Sequence, residues 1–194
     1  MKHKIYSYYE SIQTLPQAEQ FARANWWKTS WEKNGWDCVM LNKSHVGASN
    51  LHTKLVSKLA KLLHTLPDNL RQYYPQLVAR YLRWCGLHAA GGGWMSDYDV
   101  VNLEFTPSDA IPYQGELNMI IDRPCFLFYA SQENCAAAIH KFISEEFIID
   151  GLLKIESDIL NIKDRLSAIG DKVRHIDKSD IPKSEVMASL LSVK

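Results

Sequence analysis

The opening of the chain limits the possible folds more than any other stretch, because two β-rich runs there are separated by one helical segment. Lys4-Ile5-Tyr6-Ser7-Tyr8-Tyr9 reads as a strand. Pro16 opens a helical stretch that places Ala18, Phe21, Ala22 and Trp26 on one face. Asn34-Gly35 is a helix stop, and Trp36 to Leu41 reads as a second strand. Strand, helix, strand is a parallel βαβ unit, which commits the chain to an α/β layout.

The rest continues the alternation. Asn42 to Asn50 reads as a polar loop. Leu51, Leu55, Leu59 and Leu62 recur at helical spacing over Leu51 to Leu63, and Leu66-Pro67-Asp68-Asn69 breaks that helix. Pro75 opens another helix, with Leu77, Tyr81, Trp84, Cys85 and His88 as its inner face, and three glycines stop it. A strand carrying two aspartates follows. Thr106 to Asp109 is a turn, and Leu117–Ile121 and Cys125–Tyr129 read as strands joined through Asp122-Arg123-Pro124. Ser131 caps a helix over Gln132–Ile143. Leu152, Ile155, Ile159, Ile162 and Leu166 predict a helix over Phe147–Ile169, and the tail 171–194 reads as a docking helix or a frayed end. The expectation is one α/β domain over 1–194, with an open, mostly parallel sheet flanked by helices.

Composition excludes some classes of function. Lys and Arg number 22, as do Asp and Glu, so the basic excess of a general nucleic-acid binder is missing. No run approaches the roughly 20 apolar residues of a membrane helix, and the N-terminus has no apolar run of signal-peptide length. Cys38, Cys85, Cys125 and Cys135 contain no CxxC pair and read as free thiols in a reducing compartment. These features predict a soluble cytoplasmic protein, in the host cytoplasm if the chain is viral.

The chemistry is concentrated in GGGWMSDYDVVNLEF, Gly91 to Phe105. Two carboxylates at i and i+2 around a bend can face one cleft, and their charge must be balanced. A hard divalent cation balances it well, because Mg²⁺ and Mn²⁺ take carboxylate, water and phosphate oxygens. Asp97 and Asp99 therefore suggest a metal bridging the protein to a phosphate-bearing ligand. The alternative is a solvated Ser-Asp-Tyr-Asp turn whose carboxylates cap backbone N–H groups.

The run ARYLRWCGLHAAGGGWMSDYDVV, Ala79 to Val101, resembles the sugar-binding DxD region of glycosyltransferases with the GT-A fold. That group includes initiating mannosyltransferases, bacterial and viral polysaccharide transferases, and glucosylating clostridial toxins. Their pattern is an arginine on a helix, a Gly-Gly eight residues on, an aromatic, then DxD. Arg83, Gly91-Gly92, Trp94 and Asp97-Tyr98-Asp99 match it. The resemblance implies a GT-A-like sheet with the nucleotide-sugar site at the C-terminal edge of its strands. It implies that Asp99 binds Mn²⁺ or Mg²⁺ directly, and that Asp97 holds the ribose or sugar or reaches the metal through water. Arg83 would approach the donor sugar or diphosphate, Trp94 would lie beside the nucleotide, and Ser7-Tyr8-Tyr9 would line the base. The pattern departs in one extra residue before Asp97, so that either the third glycine is an insertion or Met95 holds the aromatic's place. It also departs at Arg80, where the family often has an aspartate; Arg80 would give the diphosphate a second cation or pair with a surface acid. Glu156-Ser157-Asp158 resembles the family's later Ser-Asp, which makes Asp158 a candidate at the metal, acceptor or reacting sugar or else a polar helix residue. Asp122 and Glu116 are further candidates on the acceptor side.

The implied activity is a metal-dependent transfer of a hexosyl group from a nucleotide-diphosphate sugar, with UDP favoured, to a glycan, lipid-linked or protein hydroxyl. The metal and arginines would neutralise the leaving diphosphate, and the glycines would keep the backbone thin where the donor lies. The resemblance leans to retention of configuration. Two alternatives stay open. Asp97-x-Asp99-x-Val101 also fits the motif of haloacid-dehalogenase-like phosphohydrolases, with Asp97 as nucleophile. A non-catalytic nucleotide-sugar or glycan-binding domain would bind without turnover.

Overall fold

The computed structural model describes residues 3–10, 16–66, 68–71, 74–111, 117–121, 127–144 and 172–175. Strand β1 (Lys4–Tyr8), helix α1 (Gln17–Lys33) and strand β2 (Asp37–Leu41) form the expected βαβ unit. The strands pair in parallel from Lys4 opposite Asp37 to Tyr8 opposite Leu41. Asn34 caps α1, and Gly35 follows at φ 89°, a left-handed stop that glycine adopts without strain. The buried stripe of α1 is turned from the expected one. Ala18, Ala22, Trp27 and Trp31 are buried, while Phe21 and Trp26 are half-buried. Two adjacent tryptophans compete for the core, and Trp27 wins because Trp31 lies one turn further on the same face.

The segment expected to be a polar loop contains a short helix, α2 (Lys43–Gly47). Asn42 caps it by accepting from the Ser44 backbone N–H at 3.0 Å, and His45 Nδ1 accepts from the Asn42 N–H at 3.2 Å. Helix α3 (His52–Thr65) buries Leu55, Leu59 and Leu62. A single turn, α4 (Asp68–Arg71), leads to α5 (Tyr74–Ala89).

The strand after α5 departs from the expected position. β3 (Gly92–Ser96) begins at the glycines and ends immediately before Asp97. It pairs in parallel with β1 (Ile5 opposite Trp94) and antiparallel with β6 (Leu127–Ser131). β6 also pairs antiparallel with β5 (Asn118–Ile121). The sheet order is β2-β1-β3-β6-β5, so the sheet is mixed, with only β6 running against the others. The run expected to hold the aspartates forms β4 (Val100–Asn102), which leaves this sheet and pairs antiparallel with β7 (Val173–His175). Part of the expected tail is thus a strand. A one-turn helix, α6 (Pro107–Ala110), follows β4, and α7 (Gln132–Ser144) follows β6 directly. The Ser131 hydroxyl caps α7, accepting from the Asn134 N–H at 3.1 Å. The expected helix over 147–169 lies outside the described residues.

The glycines have a packing role. A Cβ on Gly92 would sit 2.6 Å from the Gln132 backbone N and 2.7 Å from the Ala130 carbonyl oxygen, which only glycine tolerates. Gly92 lies at the start of β3, about 16 Å along the strand from Asp97.

Two helical layers cover the sheet. On one face Tyr6, Met95 and Phe128 pack against Leu55, Trp84 and Phe142 from α3, α5 and α7. On the other Ile5, Trp94 and Leu127 pack against Trp27, Trp31, Trp36 and Phe105. His88 is half-buried, with its Nδ1 3.2 Å from the Ser49 hydroxyl, a satisfied structural histidine. Cys38, Cys85 and Cys135 are free, and burial pushes their thiols up to about 12, 11 and 12. Among the described residues no helix is long and apolar enough to cross a membrane.

Gly91→Ala, at φ 89° in open space, is expected to cost only the left-handed strain of about 1–2 kcal/mol. Gly92→Ala adds backbone overlap and is expected to cost more than about 3 kcal/mol, with urea unfolding as the measurement. Lys172 Nζ donates to Asp109 Oδ1 at 2.7 Å, and this hydrogen bond, with those from Thr106, holds the Asp109 carboxyl below its ordinary value. A depressed carboxyl contributes stability above its unfolded pKa and loses it as pH falls through the folded value. Lys172→Met is therefore expected to lower Tm slightly at neutral pH, and the gap to wild type should close below the carboxylate range.

Candidate functional site

The two aspartates occupy a β-turn at the C-terminal end of β3. The Val100 N–H donates to the Asp97 carbonyl at 3.1 Å, so Asp97 is the first residue of the turn and Asp99 the third. Aspartate suits these positions because its short side chain can bond nearby backbone. The turn is tied to α1 on both sides. Trp27 Nε1 donates to Ser96 Oγ at 2.7 Å, and Trp31 Nε1 to the Val100 carbonyl at 2.9 Å. Further on, Trp36 Nε1 donates to the Phe105 carbonyl at 2.8 Å, and the Asn102 amide bonds both backbone groups of Phe105 at 2.7 Å.

Each aspartate faces an arginine. Arg83 on α5 donates to Asp97 Oδ1 at 2.7 Å, and its side chain is 6% exposed over the Phe128 ring. Arg23 on α1 lies 3.7 Å from Asp99 and 2.9 Å from Glu19. The guanidinium groups offset a like-charge pair that would otherwise be costly to place on one turn. Tyr98, between the aspartates, packs edge-on against Tyr9 at 5.5 Å. Burial first, then the Asp99 charge, pushes its hydroxyl up to about 12, so it stays neutral across the physiological range.

Asp97, Tyr98 and Asp99 border a cleft of about 170 Å³ with Tyr8, Gln76, Ala79, Arg80 and Arg83. The α5 members lie at i, i+3, i+4 and i+7, one stripe of the helix. A second hollow, about 250 Å³, lies along α1 and β2 and is bordered by Tyr9, Phe21 and Asn25. The Tyr9–Tyr98 contact links the linings of the two hollows.

Of the residues singled out in the sequence, Tyr8, Arg80, Arg83, Asp97 and Asp99 meet in one cleft. The Tyr8 hydroxyl donates to Glu10 at 2.8 Å, and burial raises its pKa. Ser7 is fully buried in β1 and Trp94 is 2% exposed, and neither borders the cleft. Trp94 packs edge-on against Trp36, Phe105 and Tyr129 because odd positions of β3 and even positions face opposite layers. Met95, its alternative, is buried against the other layer. Asp122, Asp158 and Glu116 lie outside the described residues. Gln76 and Arg23 were not foreseen. Gln76 shares a helical face with Arg80 and Arg83, a periodicity visible in the sequence. Arg23 reaches Asp99 across 76 positions, which no local pattern records.

Asp97 and Asp99 are the two carboxylates of the cleft that could hold a small divalent ion. Asp97 and Asp99 supply hard oxygens, and among the described residues no group of three or more His, Cys, Asp or Glu side chains is placed to hold a metal. Mg²⁺ and Mn²⁺ accept such a partial set because water and phosphate oxygens complete it. Asp97 and Asp99 would be the residues to hold the ion.

No protein-family model, curated protein or solved structure matches this chain.

Asp97→Asn is expected to destabilise by roughly 2 kcal/mol, less than the about 3–5 kcal/mol of a fully buried pair, because the Asp97 side chain keeps 29% exposure. Asp99→Asn is expected to cost under about 1 kcal/mol, as its pair with Arg23 is longer, at 3.7 Å. Thermal unfolding of both variants checks the order.

Proposed function

We propose that this protein is a metal-dependent glycosyltransferase with a GT-A-like fold. It would move a hexosyl group from a nucleotide-diphosphate sugar, a UDP-sugar by preference, to a hydroxyl acceptor with retention of configuration. The observation that carries the reading is the placement of Asp97 and Asp99 on one turn at the C-terminal end of β3, sharing a cleft with Arg80, Arg83 and Tyr8. In open α/β sheets ligands bind outside the carboxyl ends of the strands. Paired carboxylates next to guanidinium groups suit a metal-bound diphosphate better than a neutral ligand.

Each group has a part in that chemistry. When bound, Mn²⁺ or Mg²⁺ would supply a Lewis acid that draws charge from the leaving diphosphate. Arg83 orients Asp97 through its 2.7 Å bond. Arg80, on the outer side of the same stripe, adds positive charge where the diphosphate would leave, and such fixed charges need no reorganisation as the bond breaks. Tyr8 gives the cleft an apolar wall. Tyr98 keeps its proton, so it offers the donor a hydrogen bond without adding a third negative charge. Asp158 and Asp122 remain the sequence's candidates for the acceptor side, where a glycan, lipid-linked or protein hydroxyl would attack.

Calorimetric titration with UDP, GDP and their sugars, in Mn²⁺ and in EDTA, tests the reading. Binding of one nucleotide sugar that requires Mn²⁺ and falls at least about 100-fold in Asp99→Ala, roughly the 2.7 kcal/mol of a lost charged contact, is the expected result. Tight binding in EDTA, or binding unchanged by Asp99→Ala, would overturn it. Release of phosphate from phosphomonoesters without sugar transfer would favour the phosphohydrolase instead.

A further inference from the structure

Five tryptophans are buried in this core: Trp27, Trp31, Trp36, Trp84 and Trp94. Their indole N–H groups are treated very differently. Those of Trp84 and Trp94 have no acceptor among the described residues. Those of Trp27, Trp31 and Trp36 bond at 2.7–2.9 Å, and every acceptor lies between Ser96 and Phe105. This core therefore tolerates indoles used as apolar bulk. Hydrogen-bonded indoles occur only along the segment that begins one residue before Asp97.

The spacing of two of these bonds is informative. Trp27 and Trp31 are one helical turn apart on α1, about 6 Å along its axis. Their acceptors, Ser96 and Val100, immediately flank Asp97–Asp99. Between those anchors the backbone of the turn is closed by the Val100 to Asp97 bond at 3.1 Å. Arg83 and Arg23 offset the two charges at the carboxylates and do not by themselves stop the backbone of the turn from spreading. A rigid helix holding both of its ends limits that spread, and pre-organised ligands bind an ion more tightly because less freedom is lost on binding.

We infer that Trp27 and Trp31 are positioning residues: through their indole N–H bonds to Ser96 and Val100 they fix the backbone of the Asp97–Asp99 turn against α1, so that a divalent cation bound there meets a turn already in place. The cation rests on the glycosyltransferase reading given above, whereas the clamp rests on the hydrogen bonds alone. Neither indole touches the ligand, so the effect passes entirely through the turn.

The test uses Trp27→Phe, Trp31→Phe and the double variant Trp27→Phe/Ser96→Ala. In the double variant both partners of one bond are gone, so no polar group is left unsatisfied and stability should recover toward wild type. A purely structural role would recover with it. A positioning role would not, because the turn stays untethered. Two readouts separate these cases: Mn²⁺ affinity by paramagnetic resonance with the ion alone, and amide hydrogen exchange at Val100 relative to Tyr6 and Met95 in β1 and β3. The expected result in the double variant is near-wild-type Tm, Mn²⁺ affinity weaker by about tenfold, the equivalent of one hydrogen bond, and faster exchange at Val100 with Tyr6 and Met95 unchanged. Wild-type Mn²⁺ affinity and wild-type exchange at Val100 in that variant would overturn the inference and leave the glycosyltransferase reading standing. Failure of the wild type to bind Mn²⁺ would overturn the metal site and the inferred purpose of the clamp together.

Discussion

Helix α1 and the segment from Ser96 to Phe105 are joined by indole hydrogen bonds, and much else in the structure depends on that junction. Burying an indole leaves its N–H to be satisfied or wasted, and three of them find acceptors on this one segment. The junction determines which tryptophan of the Trp26-Trp27 pair turns inward. It also directs the chain out of the main sheet after β3, because β4 lies along α1 and pairs with β7 instead of extending the sheet. The Asp97–Asp99 turn is where that departure begins, so a packing solution on one face of the sheet places the carboxylates at the strand end.

Electrostatics completes the site from the opposite layer. Arg83 belongs to α5, on the other side of the sheet from α1, and reaches the strand end as a buried side chain over the Phe128 ring. Arg23 comes from α1 itself. The aspartate pair is thus gripped by one cation from each helical layer. The two pairs differ in length: Arg83 bonds Asp97 at 2.7 Å, whereas Arg23 stands 3.7 Å from Asp99.

The βαβ opening, the leucine-spaced α3, the Pro75 start of α5 and the Ser131 cap of α7 were legible because each is written in neighbouring residues: periodicity, a cap or a stop. The candidate site was legible to the extent that it is local. Asp97, Asp99, Arg83 and Arg80 lie within 20 positions of one another on one helix and the turn after the next strand, and the resemblance, which spans that short stretch, pointed to all four. Trp94, placed by the resemblance with the site residues, is buried against Trp36, Phe105 and Tyr129 and does not border the cleft, because a sequence motif records order along the chain and not which face of a strand a residue occupies. The packing role of Gly92 was not legible either, because its need for a bare Cα comes from the backbone at Ala130 and Gln132, nearly 40 positions away.

The sequence by itself determined the α/β class, the helix and strand periods and the pair of carboxylates, since all of these follow from side-chain chemistry over short spans. Only the tertiary structure decided that β3 starts at the glycines, that β6 opposes the other strands, that Arg23 stands by Asp99 and that α1 holds both ends of the turn. Those outcomes depend on contacts between residues tens of positions apart. Packing and hydrogen-bond satisfaction choose such contacts for the whole molecule at once, and no short window of sequence contains both partners.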